Sequence, residues 1–470
     1  MAVLDTLAPR RVFHYFEELC GIPHGSGNTK AISDFCMAFA RQHGLDAEQD
    51  AYNNVLIRKP GSAGYETHPP VILQGHLDMV CEKEPERSID FTRDGLELFL
   101  DGDWIGARGT TLGGDDGIAV AMGLAILEDD TLAHPPLEVL FTTDEETGMD
   151  GAVGLDASRL KGRTLINADS EEEGVLTVGC AGGARAELRI PVTREPVDAP
   201  CYTVTVDGLI GGHSGAEIHK GRLNANIVMG RFLQSLPEGF RLVTLAGGLK
   251  DNAIPRQTVC VLAGDDPTAA ASAFAAAAQI PADPDLTITV APAPAAKTAV
   301  TAADSRRVAE FLATVKNGVQ AMSRHIEGLV ETSLNLGVLE LEEAALRATF
   351  SVRSSVGESK TALLTDLEQT AAAFGGTYSS HGHYPAWEYR EVSPLRDVMV
   401  AVYEEQTGEK PVVKAIHAGL ECGLFSEKLP GLDAVSFGPR MRDIHTTRER
   451  LCISSTERTY AYLCRVLERL

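Results

Sequence analysis

Between Leu137 and Gly148 the chain reads LEVLFTTDEETG, an apolar, strand-like run that stops at three consecutive acidic residues, Asp144, Glu145 and Glu146. Carboxylates gathered at the end of a buried strand are costly unless a positive charge lies among them. Upstream, VILQGHLDMV sets His76 and Asp78 two apart, which in a strand puts both side chains on one face. Between these runs lies GTTLGGDDGIAVA, where Asp115 sits at a glycine-rich turn ahead of a helical pattern. The three pieces together point to a pair of metal ions.

Each piece has a plainer reading. An HxD pair also fits ordinary core polarity, and a carboxylate at the start of a helix also fits N-capping favoured by the helix dipole. The sharper reading of Asp115 is a bridge, because one carboxylate with two oxygens suits cations about 3.5 to 4 Å apart. If strand geometry persists through Glu145 and Glu146, they point opposite ways, one to bind metal and its neighbour to face water. Hydrolysis at such a centre needs neutral imidazoles, ionised carboxylates and a base that is not itself a ligand. His76 can ligate through one ring nitrogen while Asp78 accepts the proton of the other.

Leu165 to Asp169 is a further apolar run ending in an acid, so three strand-like segments end in His76/Asp78, Glu145/Glu146 and Asp169 with helical patterns between. That alternation predicts an α/β domain with a largely parallel sheet and ligands at the carboxyl ends of its strands. Gly117 to Glu128 reads as an amphipathic helix and His24 as an exposed loop histidine. After about Gly183 the character changes to strands with turn glycines, including YTVTVDGLIGGHSG, and a helix over Arg222 to Leu236. GGLKDNAIPRQTVCVLAGDD and SLNLGVLELEEAALRATFSVRSS are faintly alike, each followed by a helix, which suggests a lid with two similar halves. The α/β character returns from Tyr384, and Ser454 with Glu457 reads as a capping box for the last helix. The expected architecture is a catalytic α/β domain over 1–185 and 386–470, interrupted by an α+β lid over 186–385.

A chain of 470 residues can fill such a two-domain plan. Its formal charge of −24 repels phosphates, which excludes a nucleic-acid groove or an anionic membrane surface as the natural partner. Nine cysteines are too sparse for a disulfide scaffold, and Cys81, Cys260 and Cys464 read as small buried hydrophobes. With no apolar leader and no run of about twenty apolar residues, the expectation is a cytoplasmic, reducing location.

HLDMV, GTTLGGDDGIAVA, HPPLEVLFTTDEETGMDGA, INADSEEEG, GGHSGAEIHKGRLNAN, DNAIPR, HAGLECG and DIHTTRER run in order over nearly the whole chain. They resemble the co-catalytic zinc metallopeptidases that include aminoacylases and glutamate carboxypeptidases, most of all the branch of aminoacyl-histidine dipeptidases. The resemblance implies two Zn2+ ions, with Mn2+ or Co2+ as possible substitutes, bridged by Asp115. His76 and Asp169 would complete one position, and Glu146 and His445 the other. Glu145 would be the general base, Asp78 the orienting carboxylate and His213 the oxyanion donor from the lid. Asn252 and Arg353 would hold the substrate's carboxylate, Arg353 bidentately, and Glu421 would meet its ammonium group. One departure stands out, since relatives commonly carry Asn where this chain has Asp116. The implied activity is hydrolysis of Xaa-His and other small dipeptides. The alternatives are a deacylase of N-acyl amino acids and a silent metal-binding scaffold; a homodimer is left open.

Overall fold

The computed structural model describes residues 3–470, which form two compact units. One comprises the chain up to Gly179 with Tyr389–Ala415 and Leu420–Leu470, and the other comprises Cys180–Glu388 with Ile416–Gly419. The expected divisions were 185/186 and 385/386. The structure divides a few residues to either side and assigns the short Ile416–Gly419 segment, just ahead of Glu421, to the inserted unit.

Among the described residues, the first unit is built on an eight-stranded sheet. At its centre Leu137–Thr142, Val71–His76, Thr164–Asn167 and Asp433–Ser436 lie side by side and parallel. Outside them the sheet is antiparallel, through Val55–Lys59 and Asp46–Gln49 on one side and Val175–Cys180 on the other, so it is mixed rather than largely parallel throughout. From Val71–His76 the chain crosses to a strand on one side, Leu137–Thr142, and next to a strand on the other, Thr164–Asn167. Strand order reverses there, and in an open α/β sheet this opens a crevice at the carboxyl ends. Leu77–Asp78, Thr143–Glu146 and Ala168–Asp169 all follow those ends.

The helix Gly114–Glu128 packs on the sheet and is buried from Gly114 through Leu127, a helix apolar all round and not the amphipathic one expected. Gly123 allows the close approach, since a Cβ there would stand 3.0 Å from the Phe141 ring. Three local expectations fail as well. His24 is buried, its Nδ1 2.6 Å from the Ile22 carbonyl oxygen. Cys81 is exposed, because the strand has already ended at His76. The last helix, Ile453–Leu467, has Cys452 at its N-cap, and the capping oxygens come from a distant loop: Asp103 accepts the N–H of Ser454 at 3.0 Å and its hydroxyl.

In the inserted unit the spatial order is Thr287–Ala293, Cys201–Asp207, Thr258–Ala263, Arg241–Gly247, Val330–Leu341, Ala345–Ser354, Gly182–Pro191 and Thr377–Tyr384. Numbered along the chain and read from each outer edge inward, the first four and the last four strands both follow a 4-1-3-2 order, and the two sets join antiparallel at Ala246–Gly247. Each half has two helices, Ala225–Ser235 and Thr268–Ala278 in one, Ala302–Thr314 and Gly357–Ala373 in the other. Phe232, Phe311 and Phe350 lie in the shared core beneath them.

Candidate metal centre

His76 is the last residue of its strand and is 1% exposed. Its Nε2 lies 3.1 Å from Asp115 Oδ1 and 3.8 Å from Asp169 Oδ1. On the far side of Asp115, His445 Nε2 lies 3.1 Å from Oδ2 and 2.9 Å from Glu146 Oε1. The two oxygens of Asp115 therefore face two different imidazoles, one flanked by Asp169 and the other by Glu146. The N-capping role also open to Asp115 is not taken up: the side-chain partners of its two carboxylate oxygens are the imidazoles of His76 and His445.

The Glu145/Glu146 pair is divided by a different device from the one expected. The strand stops at Thr142, Asp144 takes a left-handed conformation with φ of 57°, and Glu145–Gly148 forms a helical turn. Asp78 holds that turn, accepting the N–H of Glu145 at 3.0 Å and of Glu146 at 3.3 Å, with Ser26 Oγ donating at 2.8 Å. His76 Nδ1 accordingly finds the backbone oxygen of Asp78 at 2.9 Å, while the Asp78 carboxylate stands at 3.5 Å.

Charge is unbalanced here. Burial pushes Glu145 up to about 7, with Glu146, Asp115 and Asp78 adding to the shift against His76. Asp169 and Asp116 are driven well above the carboxylate range by burial first, with neighbouring carboxylates adding to it against His76. His445 is raised to about 10 by the Asp115 and Glu146 carboxylates beside it. Buried Glu146 Oε1 and Asp116 Oδ1 have no hydrogen-bond partner, although Oε1 lies so near His445 Nε2. Two overlapping groups, His76/Asp115/Glu146 and His76/Asp116/Asp169, bring their ligating atoms within 4.8 Å of one another. An oxygen-rich, imidazole-bearing set with orphaned acceptors fits divalent cations. Asp116 was not expected among such groups; its Oδ2 also accepts the N–H of His76 at 3.2 Å.

Glu421 lies in the same unit, fully buried. Gln74 Nε2 donates to its Oε2 at 2.6 Å and Thr142 Oγ1 at 2.8 Å, while Oε1 is buried without a partner. Burial and then Glu145 push it up to about 8. The expected ammonium contact would require that oxygen to be reached from solvent, and in this conformation it is not.

In the inserted unit, His213 and Asn252 belong to one small ribbon in which Gly212–His213 pairs with Ala253–Ile254 and Ser214 N donates to the Asn252 carbonyl at 2.8 Å. His213 Nδ1 accepts backbone N–H groups from Gly215 at 3.2 Å and Ala216 at 3.0 Å. An N–H can only donate, so the imidazole proton resides on Nε2, which is left as a donor. Arg353 Nη1 donates to Tyr384 Oη at 3.0 Å, and its buried Nε has no partner. His417, held at 2.7 Å from Ser333 Oγ, is pushed down to about 4 by burial and by Arg353.

Several supporting residues went unread in the sequence. Asn335 Nδ2 donates to the carbonyls of Asp251 at 3.0 Å and Ala253 at 2.9 Å, on either side of Asn252. Gln74 links Glu421 to Asn167, and Glu449 grips the turn that carries Asp115.

The family model described as peptidase family M20/M25/M40 matches residues 72–469. The cytosol non-specific dipeptidase of Escherichia coli strain K12 is 36% identical over 482 aligned residues, covering 100% of this chain and 99% of that protein. The crystal structure of aminoacylhistidine dipeptidase from Vibrio alginolyticus superposes with a TM-score of 0.95 at 36% identity, covering 99% of this chain and 98% of that one. An aminopeptidase of Bacillus cereus, 15% identical with a TM-score of 0.56 and 98% of both chains covered, shares the fold. The chain belongs to the M20/M25/M40 peptidase family and is a hydrolase of peptide bonds.

Proposed function

We propose that the chain is a dinuclear-zinc dipeptidase of the cytoplasm that cleaves Xaa-His and other dipeptides. The observation that carries this reading is the placement of Asp115 between His76 and His445, with Asp169 and Glu146 beyond them. His76 and Asp169 would hold one cation, Glu146 and His445 the other, and Asp115 both; Mn2+ or Co2+ fits the same donors. When bound, such ions make water acidic enough to furnish hydroxide near neutral pH and polarise a carbonyl.

The chain's own groups do the rest. Glu145, not paired to either imidazole, takes the water's proton on its carboxylate and returns it to the leaving amine nitrogen. Asp78 fixes the turn that presents Glu145. His213 Nε2–H is the donor assigned to the developing oxyanion. Asn252 and Arg353 take the substrate's free carboxylate, and the unpaired Arg353 Nε supports that assignment. Nine free cysteines accord with a reducing location, and no helix among the described residues is long and apolar enough to cross a membrane.

A substrate panel tests the assignment. Zinc-loaded protein is expected to hydrolyse Xaa-His and ordinary dipeptides, to lose that activity on chelation, and to regain it with Zn2+. Turnover confined to N-acyl amino acids would overturn the peptide specificity.

A further inference from the structure

Glu449, four residues beyond His445, is 2% exposed and directs both carboxylate oxygens at the turn that carries Asp115. Its Oε2 accepts the N–H groups of Leu112 at 2.7 Å and Gly113 at 3.2 Å, and its Oε1 those of Gly114 at 2.8 Å and Asp115 at 3.4 Å. Successive amides converging on one point make an anion-binding nest. Here the anion is the chain's own carboxylate. The turn needs a glycine: Gly113 has φ of 68°, and a Cβ there would stand 2.9 Å from Met79 Sδ and 3.2 Å from His24 Nε2.

The segment leading to Glu449 is itself held in an unfavourable shape. Asp443 and His445 both adopt left-handed conformations, with φ of 52° and 58°, which non-glycine residues keep only where their surroundings enforce it. Thr446 Oγ1 donates to the Asp443 carbonyl at 2.7 Å, and Glu449 N to the Thr446 carbonyl at 3.1 Å. His445 is only half buried, so the fully buried end of the segment is Glu449.

We propose that Glu449 is a positioning residue of the metal centre. Its carboxylate fixes the direction of Asp115 through the turn and, by anchoring Asp443–Glu449, sets His445 against the outer oxygen of Asp115. One buried side chain thus couples the bridging group to the second cation position without touching substrate or ion. This rests on the reading of Asp115 and His445 as ligands.

The test is a zinc titration of the full chain against a chromophoric chelator, with circular dichroism of each variant. In Glu449→Gln the amide keeps one acceptor and aims a donor at amide N–H groups. Its fold is expected to persist while one of the two zinc affinities weakens about 10- to 100-fold, as loss of a group orienting a ligand typically causes. Glu449→Asp, which keeps the charge, is expected to recover part of the loss. Wild-type affinity for both ions in Glu449→Gln overturns the proposal. If that variant does not fold, Glu449→Asp decides by the same titration: weakening of one site supports the proposal, and two unaltered sites overturn it. Asp115→Asn run in parallel separates the two ideas. If it loses zinc while Glu449→Gln does not, only the role of Glu449 fails, whereas unaltered zinc in Asp115→Asn removes the ligand reading beneath it.

Discussion

Replacing Glu145 by alanine is expected to lower kcat by about 100- to 10,000-fold, the range general acid–base catalysis usually supplies, while the metal content stays at the wild-type level. The two effects separate because neither imidazole contacts Glu145, whereas Glu146 stands 2.9 Å from His445 Nε2. Dissociation of this carboxyl is also expected to shape the acid limb of the pH profile. Burial raises Glu145 to about 7, and bound cations act in the opposite direction. The base works only when deprotonated, so kcat/KM falls as pH drops through that pKa, and the limb should vanish in the residual activity of Glu145→Ala. Steady-state kinetics with elemental analysis of the same samples would check both parts. Retained turnover would remove the assigned base, and loss of metal would make Glu145 a ligand instead.

Asp115→Ala is expected to abolish activity and to strip both cations, a larger effect on binding than removal of any other single ligand. His76 and His445 each approach a different oxygen of Asp115 at 3.1 Å, so this carboxylate is the one group common to both positions. It is also the group whose acidity is most enhanced here, with both imidazoles pulling its pKa down against the cost of burial. Of the carboxylates paired with these imidazoles, Asp169 approaches His76 and Glu146 approaches His445, so without Asp115 neither carboxylate is shared. Elemental analysis after gel filtration would measure the loss. One tightly held ion per chain in this variant would mean that Asp115 serves a single site and not two.

Part of this centre was legible because local periodicity carries it, whereas His445 was reached only through the family resemblance. An HxD pair and a run of acids, each closing an apolar strand, mark the carboxyl ends of a sheet, and those ends do lie together. Periodicity misled where the strand ended early: Glu145 and Glu146 were read as alternating strand positions, yet a left-handed Asp144 turns the chain into a helical turn before them. Gly117 to Glu128 reads as amphipathic, whereas the body of that helix is buried all round. Supporting groups were illegible for another reason. Glu449 is 337 residues from Leu112, and Gln74 is 347 from Glu421; nothing local distinguishes such side chains from polar ones that face solvent. The Ser454 capping box failed in the same way, displaced by an Asp103 oxygen supplied from 351 residues away.

Anomalous diffraction from crystals grown with zinc, recorded on both sides of the zinc absorption edge, tests the central claim most directly. The account predicts two peaks about 3.5 to 4 Å apart, one bounded by His76 and Asp169, the other by Glu146 and His445, with Asp115 between them. A protein that cleaves dipeptides yet shows no zinc peak at these side chains would contradict it.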